Sequence, residues 1–327
     1  MALTKVTLSI SDNTPYHWPI FKGDVAPRGI ELELQKHKGH DGAIERVLEG
    51  SLDVGETSLA TFIAARDQGF RVLGLPVFTT RRFIQPHIHL RKNSEARDIT
   101  ELKGKRIGLH LYWTTSSLWG RRLLWQMHGI APKDIVWITS RPERLSTQTY
   151  PPGVQVKTDD QRRDTPRLLV EGAVDAVIGL GPGGRPEREL PEEAVEEMRR
   201  DAYPDILEAQ RAYYRKTGVL PLTNVVVMRE QLASKEPWIV ESLYQAFQQA
   251  KEQVGQARAI EFLLPTGHWP LKKGTVKDLH DLVGDDPWPY GIKANRHVLE
   301  DFIEGAVKEG LIRSRMSVES LFPSLPD

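Results

Sequence analysis

The 327-residue sequence contains no cysteine, so a disulfide framework, a thiolate nucleophile and a zinc–thiolate site are all excluded. It also carries no net charge: 44 Lys and Arg balance 44 Asp and Glu, interspersed without a basic run. That pattern lacks the electrostatic footprint of a nucleic-acid binder or of a protein held to anionic membranes, and it leaves a homo-oligomer open. No apolar run approaches the roughly 20 residues needed to span a bilayer. The opening segment, Met1 to Ile10, alternates apolar and polar residues as a strand does. It lacks the apolar core of roughly 7 to 15 residues that marks a secretory signal, so a cytoplasmic location is the expectation.

What is present is a repeat. Val47-Leu48-Glu49-Gly50-Ser51-Leu52-Asp53-Val54 and Leu169-Val170-Glu171-Gly172-Ala173-Val174-Asp175-Ala176 stand about 120 residues apart. Each reads as an amphipathic helix stopped by glycine and followed by a short apolar strand. Short apolar runs alternate with helical periodicity, which predicts βα units and largely parallel sheets. In the first half the predicted strands are Val6 to Ile10, Ile30 to Leu34, Leu52 to Val54 and Val72 to Val77. In the second they are Arg106 to Leu109, Ile135 to Ile138 and Val174 to Ile178, with an edge strand at Val154 to Val156. The β-branched run Val225 to Met228 takes the chain back to the first half, and Glu236 to Gly310 is helical in pattern with breaks at Pro265, Pro270 and Pro287 to Pro289. The expected organisation is two α/β lobes around a hinged cleft, residues 1–92 with 226–327 and residues 93–225.

Several clusters, in order along the chain, carry a family resemblance. They are Leu52-Asp53-Val54-Gly55-Glu56-Thr57-Ser58-Leu59; Pro76-Val77-Phe78 with Arg81 and Phe83; Leu102-Lys103-Gly104-Lys105-Arg106-Ile107-Gly108; Tyr203-Pro204-Asp205; Tyr213 to Gly218; Asn224 to Val227; and Trp288-Pro289-Tyr290-Gly291 with Asn295-Arg296. On these the sequence resembles the 4,5-dihydroxyphthalate decarboxylase family, and the resemblance implies a periplasmic-binding-protein-like fold of the second type. Two departures fall in the expected pocket. Gln85 stands where the family usually has histidine, and His110-Leu111-Tyr112 replaces proline, glutamate and tyrosine, keeping only Tyr112.

The residues themselves offer an acid-binding site. Arg81 at a strand end presents a planar fork to a carboxylate, with a surface ion pair as the competing reading. Glu56 and Ser58 lie past the strand end predicted at Val54. His87 and His89, two apart on a predicted strand, share a face; with His110 they would make a three-histidine metal site, or they serve as hydrogen-bonding or protonatable groups without a metal. Tyr112, Thr114, Thr115 and Ser116 open a helix whose N–H groups favour an anion, or simply cap it. Gly179 to Arg185 reads as a cleft loop or a plain connection, and Trp288 as packing.

If the resemblance extends to activity, the reaction is cofactor-independent decarboxylation of a hydroxylated aromatic acid such as a phthalate. Arg81 and Thr114 to Ser116 would anchor the acid, with Gln85, His89 and Asn224 nearby. His110 or His87 would supply the proton, and Glu56 would orient a phenolic hydroxyl. Two alternatives use the same cleft: a non-catalytic solute-binding protein for an aromatic or other carboxylate, and another lyase reaction on the same scaffold.

Overall fold

The computed structural model describes residues 3–37, 40–143, 150–179, 192–255, 276–323 and 325. Among them, eleven strands form two sheets. The strands are β1 (Thr4–Ser9), β2 (Ile30–Leu34), β3 (Val54–Ser58), β4 (Val72–Arg81), β5 (Ile88–Arg91), β6 (Arg106–Leu109), β7 (Val136–Thr139), β8 (Gln155–Thr158), β9 (Ala176–Ile178), β10 (Arg199–Asp201) and β11 (Leu222–Arg229). The first sheet has the order β2-β1-β3-β11-β4 and the second β10-β5-β9-β6-β7-β8. Each is mixed rather than largely parallel. The returning strand β11 runs antiparallel to β3 and β4, and β5 antiparallel to β9 and β10.

The repeat explains why both sheets are built alike. Gly50 and Gly172 take positive φ angles of 83° and 73°, which glycine alone adopts without steric cost. Each motif aspartate then ties three strands together. Asp53 accepts hydrogen bonds from the Thr7 N–H and hydroxyl on β1 and pairs with Arg229 of β11. Asp175 accepts from the Arg106 N–H and guanidinium on β6 and lies 3.9 Å from Arg91 of β5. The backbone repeats the arrangement, with Arg229 N–H donating to the Asp53 carbonyl and Arg91 N–H to that of Asp175.

The chain divides into two units, Met1–Arg82 with Leu220–Ile303 and Arg313–Asp327, and Phe83–Val219 with Glu304–Ile312. The crossings thus fall at 82/83 and 219/220, earlier than the expected 92/93 and 225/226. The reason is pairing: β5 lies between β9 and β10 in the second sheet, so Phe83 onwards goes with that sheet, and β11 is an interior strand of the first from Leu222. The short segment from Glu304 was not foreseen. It joins the second unit through Glu309, which forms a buried ion pair with Arg121 on the helix Thr115–His128.

Each unit has its own core. In the first, Val6, Leu8, Val54, Leu75 and Val225 to Met228 are all but fully buried; in the second, Ile107, Leu109, Leu168, Val174 and Val177 are. Fully burying each such side chain is worth about 1.5–3 kcal/mol. No helix among the described residues is long and apolar enough to cross a membrane.

Candidate functional site

In the first unit, β1 hands over at its carboxyl end to a polar loop, Ser11 to Thr14, then to a 3-10 turn, Pro15–His17. Beside this loop β3 runs through Ser58. Glu56 therefore sits within a fully buried stretch of strand, not beyond the strand's end as expected. Its carboxylate is surrounded by donors: Oε2 accepts from the Ser11 N–H at 3.0 Å, and Oε1 from the Thr79 hydroxyl at 2.8 Å and the Asn224 amide at 3.2 Å. An ionised carboxylate, which only accepts, is the form this ring of donors suits.

β11 and β4 pair with a shifted register around Asn224, which faces Thr80 while Val226 faces Leu75. Such an irregularity breaks the simple alternation of side chains and re-aims them. As a result Thr79 and Thr80 both line one cavity of about 90 Å³, together with Tyr16, Glu56, Arg82 and Asn224. Ser11, Asn13 and Thr14 close one part of its wall and Trp288 another.

Arg81 ends β4 and Arg82 follows it, and they part company. Arg81, expected to be the anchor, is buried and spent: its guanidinium donates to the Pro289 carbonyl at 2.6 Å and to the Asn295 side chain. Asn295 in turn donates to the carbonyls of Pro289 and Gly291, so Arg81 fastens the Trp288 to Asn295 segment onto the sheet. Arg82 is the one that lines the cavity. Its N–H holds the Pro221 carbonyl, while its guanidinium has no hydrogen-bonding or charged partner among the described residues. Burial alone lowers its pKa.

The remaining expected residues have structural partners. Ser58 caps the helix Leu59–Asp67, accepting from the Thr61 N–H. In the second unit Gln85 is buried and donates to the Ala209 carbonyl at 3.4 Å. His87 ends a 3-10 turn, Gln85–His87, and only His89 is in the strand, so the shared strand face expected of the pair does not exist. The buried His89 lies 3.2 Å from Asp201 and from Arg199. Among the described residues no cluster of three or more His, Asp or Glu side chains can hold a metal ion, and His87, His89 and His110 do not form one. Thr114 caps the helix Thr115–His128 by accepting from the Ser117 N–H, with Ser116 3.3 Å from its hydroxyl and Thr115 buried. Tyr112 is fully buried beneath Arg121, whose guanidinium lies 3.6 Å from its ring centre. The N–H groups of Tyr112 and Trp113 are already taken by Glu143, at 2.6 and 3.4 Å. His110 is partly buried, and desolvation, then the Arg141 charge, lowers its pKa, leaving the ring neutral near pH 7. Of the Gly179 to Arg185 loop, all but Gly179 lies outside the described residues.

Sequence reasoning missed Tyr16, His17, Thr79 and Thr80, and it set Arg82 aside in favour of Arg81, the one that matches the family position. A usable signal was at hand for the first two, since the loop after β1 lies at the carboxyl end of a strand in an α/β sheet, where ligands bind. His17 is fully buried, and its Nδ1 lies 2.8 Å from the Ser11 carbonyl, which only accepts, so Nδ1 carries the proton. Desolvation lowers its pKa, opposed by the Glu56 charge and the Ser11 bond.

These imidazoles set a pH dependence. His17, His110 and His128 are all lowered in the folded state, each chiefly by desolvation. The unfolded chain binds their protons first, so stability is complete above the ordinary histidine pKa of about 6.5 and is lost as pH falls below it. The exposed His280, raised by its hydrogen bonds to Asp285 and Asp281, acts in the opposite sense but is screened by solvent. Thermal midpoints are expected to fall from pH 7 to pH 5.5, and less steeply in His17→Gln.

Together the two mixed α/β units define a periplasmic-binding-protein-like fold of the second type. The periplasmic aliphatic sulphonate binding protein of Escherichia coli shares it, with a TM-score of 0.57 at 14% identity and 98% of each chain covered. The family described as NMT1/THI5 like matches residues 21–148. Within this fold the sequence resembles 4,5-dihydroxyphthalate decarboxylase over nearly its whole length. That of Comamonas testosteroni is 26% identical over 328 residues, 98% of this chain and 97% of the relative. That of Pseudomonas putida is 27% identical over 185 residues, 54% of this chain and 71% of the relative.

Proposed function

We propose that the chain is a cofactor-independent carboxy-lyase for a hydroxylated aromatic carboxylic acid of the dihydroxyphthalate type, and that the cavity of the first unit contacts this acid. One observation carries the reading to the cavity: Arg82, a half-buried cation whose Nε is shielded from solvent and which has no protein partner among the described residues, lines a space that also holds a carboxylate acceptor, Glu56. Even partial burial of an unpaired cation is costly, and an anionic ligand removes that cost. The names of the two decarboxylase relatives, one of them matched over nearly its full length, support the choice of acid.

Decarboxylation breaks the bond between ring and carboxyl carbon, leaves its electron pair on the ring and needs a proton at that carbon. Tight binding of the departing carboxylate would stabilise the ground state, so the arginine suits a carboxylate that stays. A phenolic hydroxyl joins the donors already around Glu56, and the carboxylate so raises electron density in the ring. The sequence offers His87 or His110 for proton transfer; both belong to the second unit and neither lines this cavity.

The test incubates the protein with hydroxylated benzene di- and tricarboxylates, following carbon dioxide release and binding together. Stoichiometric release with appearance of the decarboxylated arene is the expected result. Tight binding without release would instead support a solute-binding role, which the likeness to the sulphonate-binding fold keeps in view.

A further inference from the structure

The cavity's polar groups fall into two sets. Glu56, Thr79 and Asn224 are committed to one another, and Asn224 also reaches the Thr80 hydroxyl at 3.3 Å. Tyr16 and Arg82 are not. Tyr16 is all but fully buried, yet its hydroxyl has no hydrogen-bond partner among the described residues. A buried hydroxyl left without a partner costs free energy, and native structures leave few of them. The ring is held in place: Pro15 stiffens the turn before it, and Trp288 packs against it edge to face with centroids 6.2 Å apart. The group is thus pre-positioned at the cavity wall rather than poorly placed.

We infer that the Tyr16 hydroxyl donates a hydrogen bond to an oxygen of the bound acid, acting with the Arg82 guanidinium as a two-donor subsite for one carboxylate. The inference rests on the functional reading above and adds to it a residue that determines specificity. Burial raises the Tyr16 pKa, with the Asp286 charge adding to the effect, so the phenol keeps its proton and works as a donor at neutral pH. A site built to donate to an oxygen at this position discriminates strongly against ligands that place an apolar or donor group there, because its own donors are then stranded.

The experiment uses Tyr16→Phe, which removes one oxygen and keeps the ring. Dissociation constants for phthalate and for 4,5-dihydroxyphthalate are measured by calorimetry on both proteins, alongside unfolding midpoints without ligand. A loss of about 10- to 100-fold in affinity, with an unchanged or higher midpoint, is expected for a hydrogen bond to a charged acceptor. Equal affinities would overturn the role of Tyr16 and leave the functional reading standing. Failure of the unaltered protein to bind or turn over either acid would overturn both.

Discussion

Replacing Arg82 by methionine is expected to lower kcat/KM for the acid by about 10²- to 10³-fold, roughly 3–4 kcal/mol, the range for deleting one partner of a desolvated charge pair. The same change should leave the unliganded protein as stable as before or more so. Both halves follow from one fact: the guanidinium lines a cavity and has no partner among the described residues. Its partial burial is therefore a cost in the free protein and a gain in the complex. Arg81→Met should do the reverse, losing stability first, because that guanidinium is bonded to Pro289 and Asn295. Steady-state kinetics together with urea unfolding of the two variants separate the roles. An Arg82 variant that unfolds early would show its role to be structural.

The second large effect is on folding. Arg121→Met is expected to cost about 3–5 kcal/mol in urea unfolding, because it strands a buried carboxylate. The Arg121 side chain is fully buried and Glu309 is only 9% exposed, and the guanidinium also donates to the Tyr112 carbonyl at 2.6 Å. Burial already raises the Glu309 pKa, against the pull of Arg121 and Arg122. Replacing both partners, Arg121→Met with Glu309→Leu, should recover most of the loss, since an apolar pair carries no desolvation cost. A double variant no more stable than the single one would mean that the contacts to Tyr112 and its carbonyl, rather than the charge pair, hold this region.

Much of the fold was legible because it is written in local periodicity. The glycine stops at Gly50 and Gly172 and the aspartates after them announce two equivalent units, and the β-branched run at Val225 announces the return strand. The register of that strand was not legible. The shift around Asn224 depends on pairing with β4, some 140 residues away in sequence, and it is this shift that turns Thr79 and Thr80 to the same cavity. Glu56 was found because a carboxylate past a predicted strand end suggests a site, and Asn224 because it belongs to the residues that carry the resemblance. Arg81 was chosen over Arg82 on resemblance, and which of two adjacent arginines is consumed by Pro289 and Asn295 is a tertiary fact. The pairing of Arg121 with Glu309 spans 188 residues and leaves no trace in sequence pattern.

The most direct measurement is a crystal structure of the protein with 4,5-dihydroxyphthalate. A carboxylate oxygen within hydrogen-bonding distance of the Arg82 guanidinium, and a ring hydroxyl directed at Glu56, is the predicted result. Density for the acid at a place where neither side chain touches it would contradict the assignment.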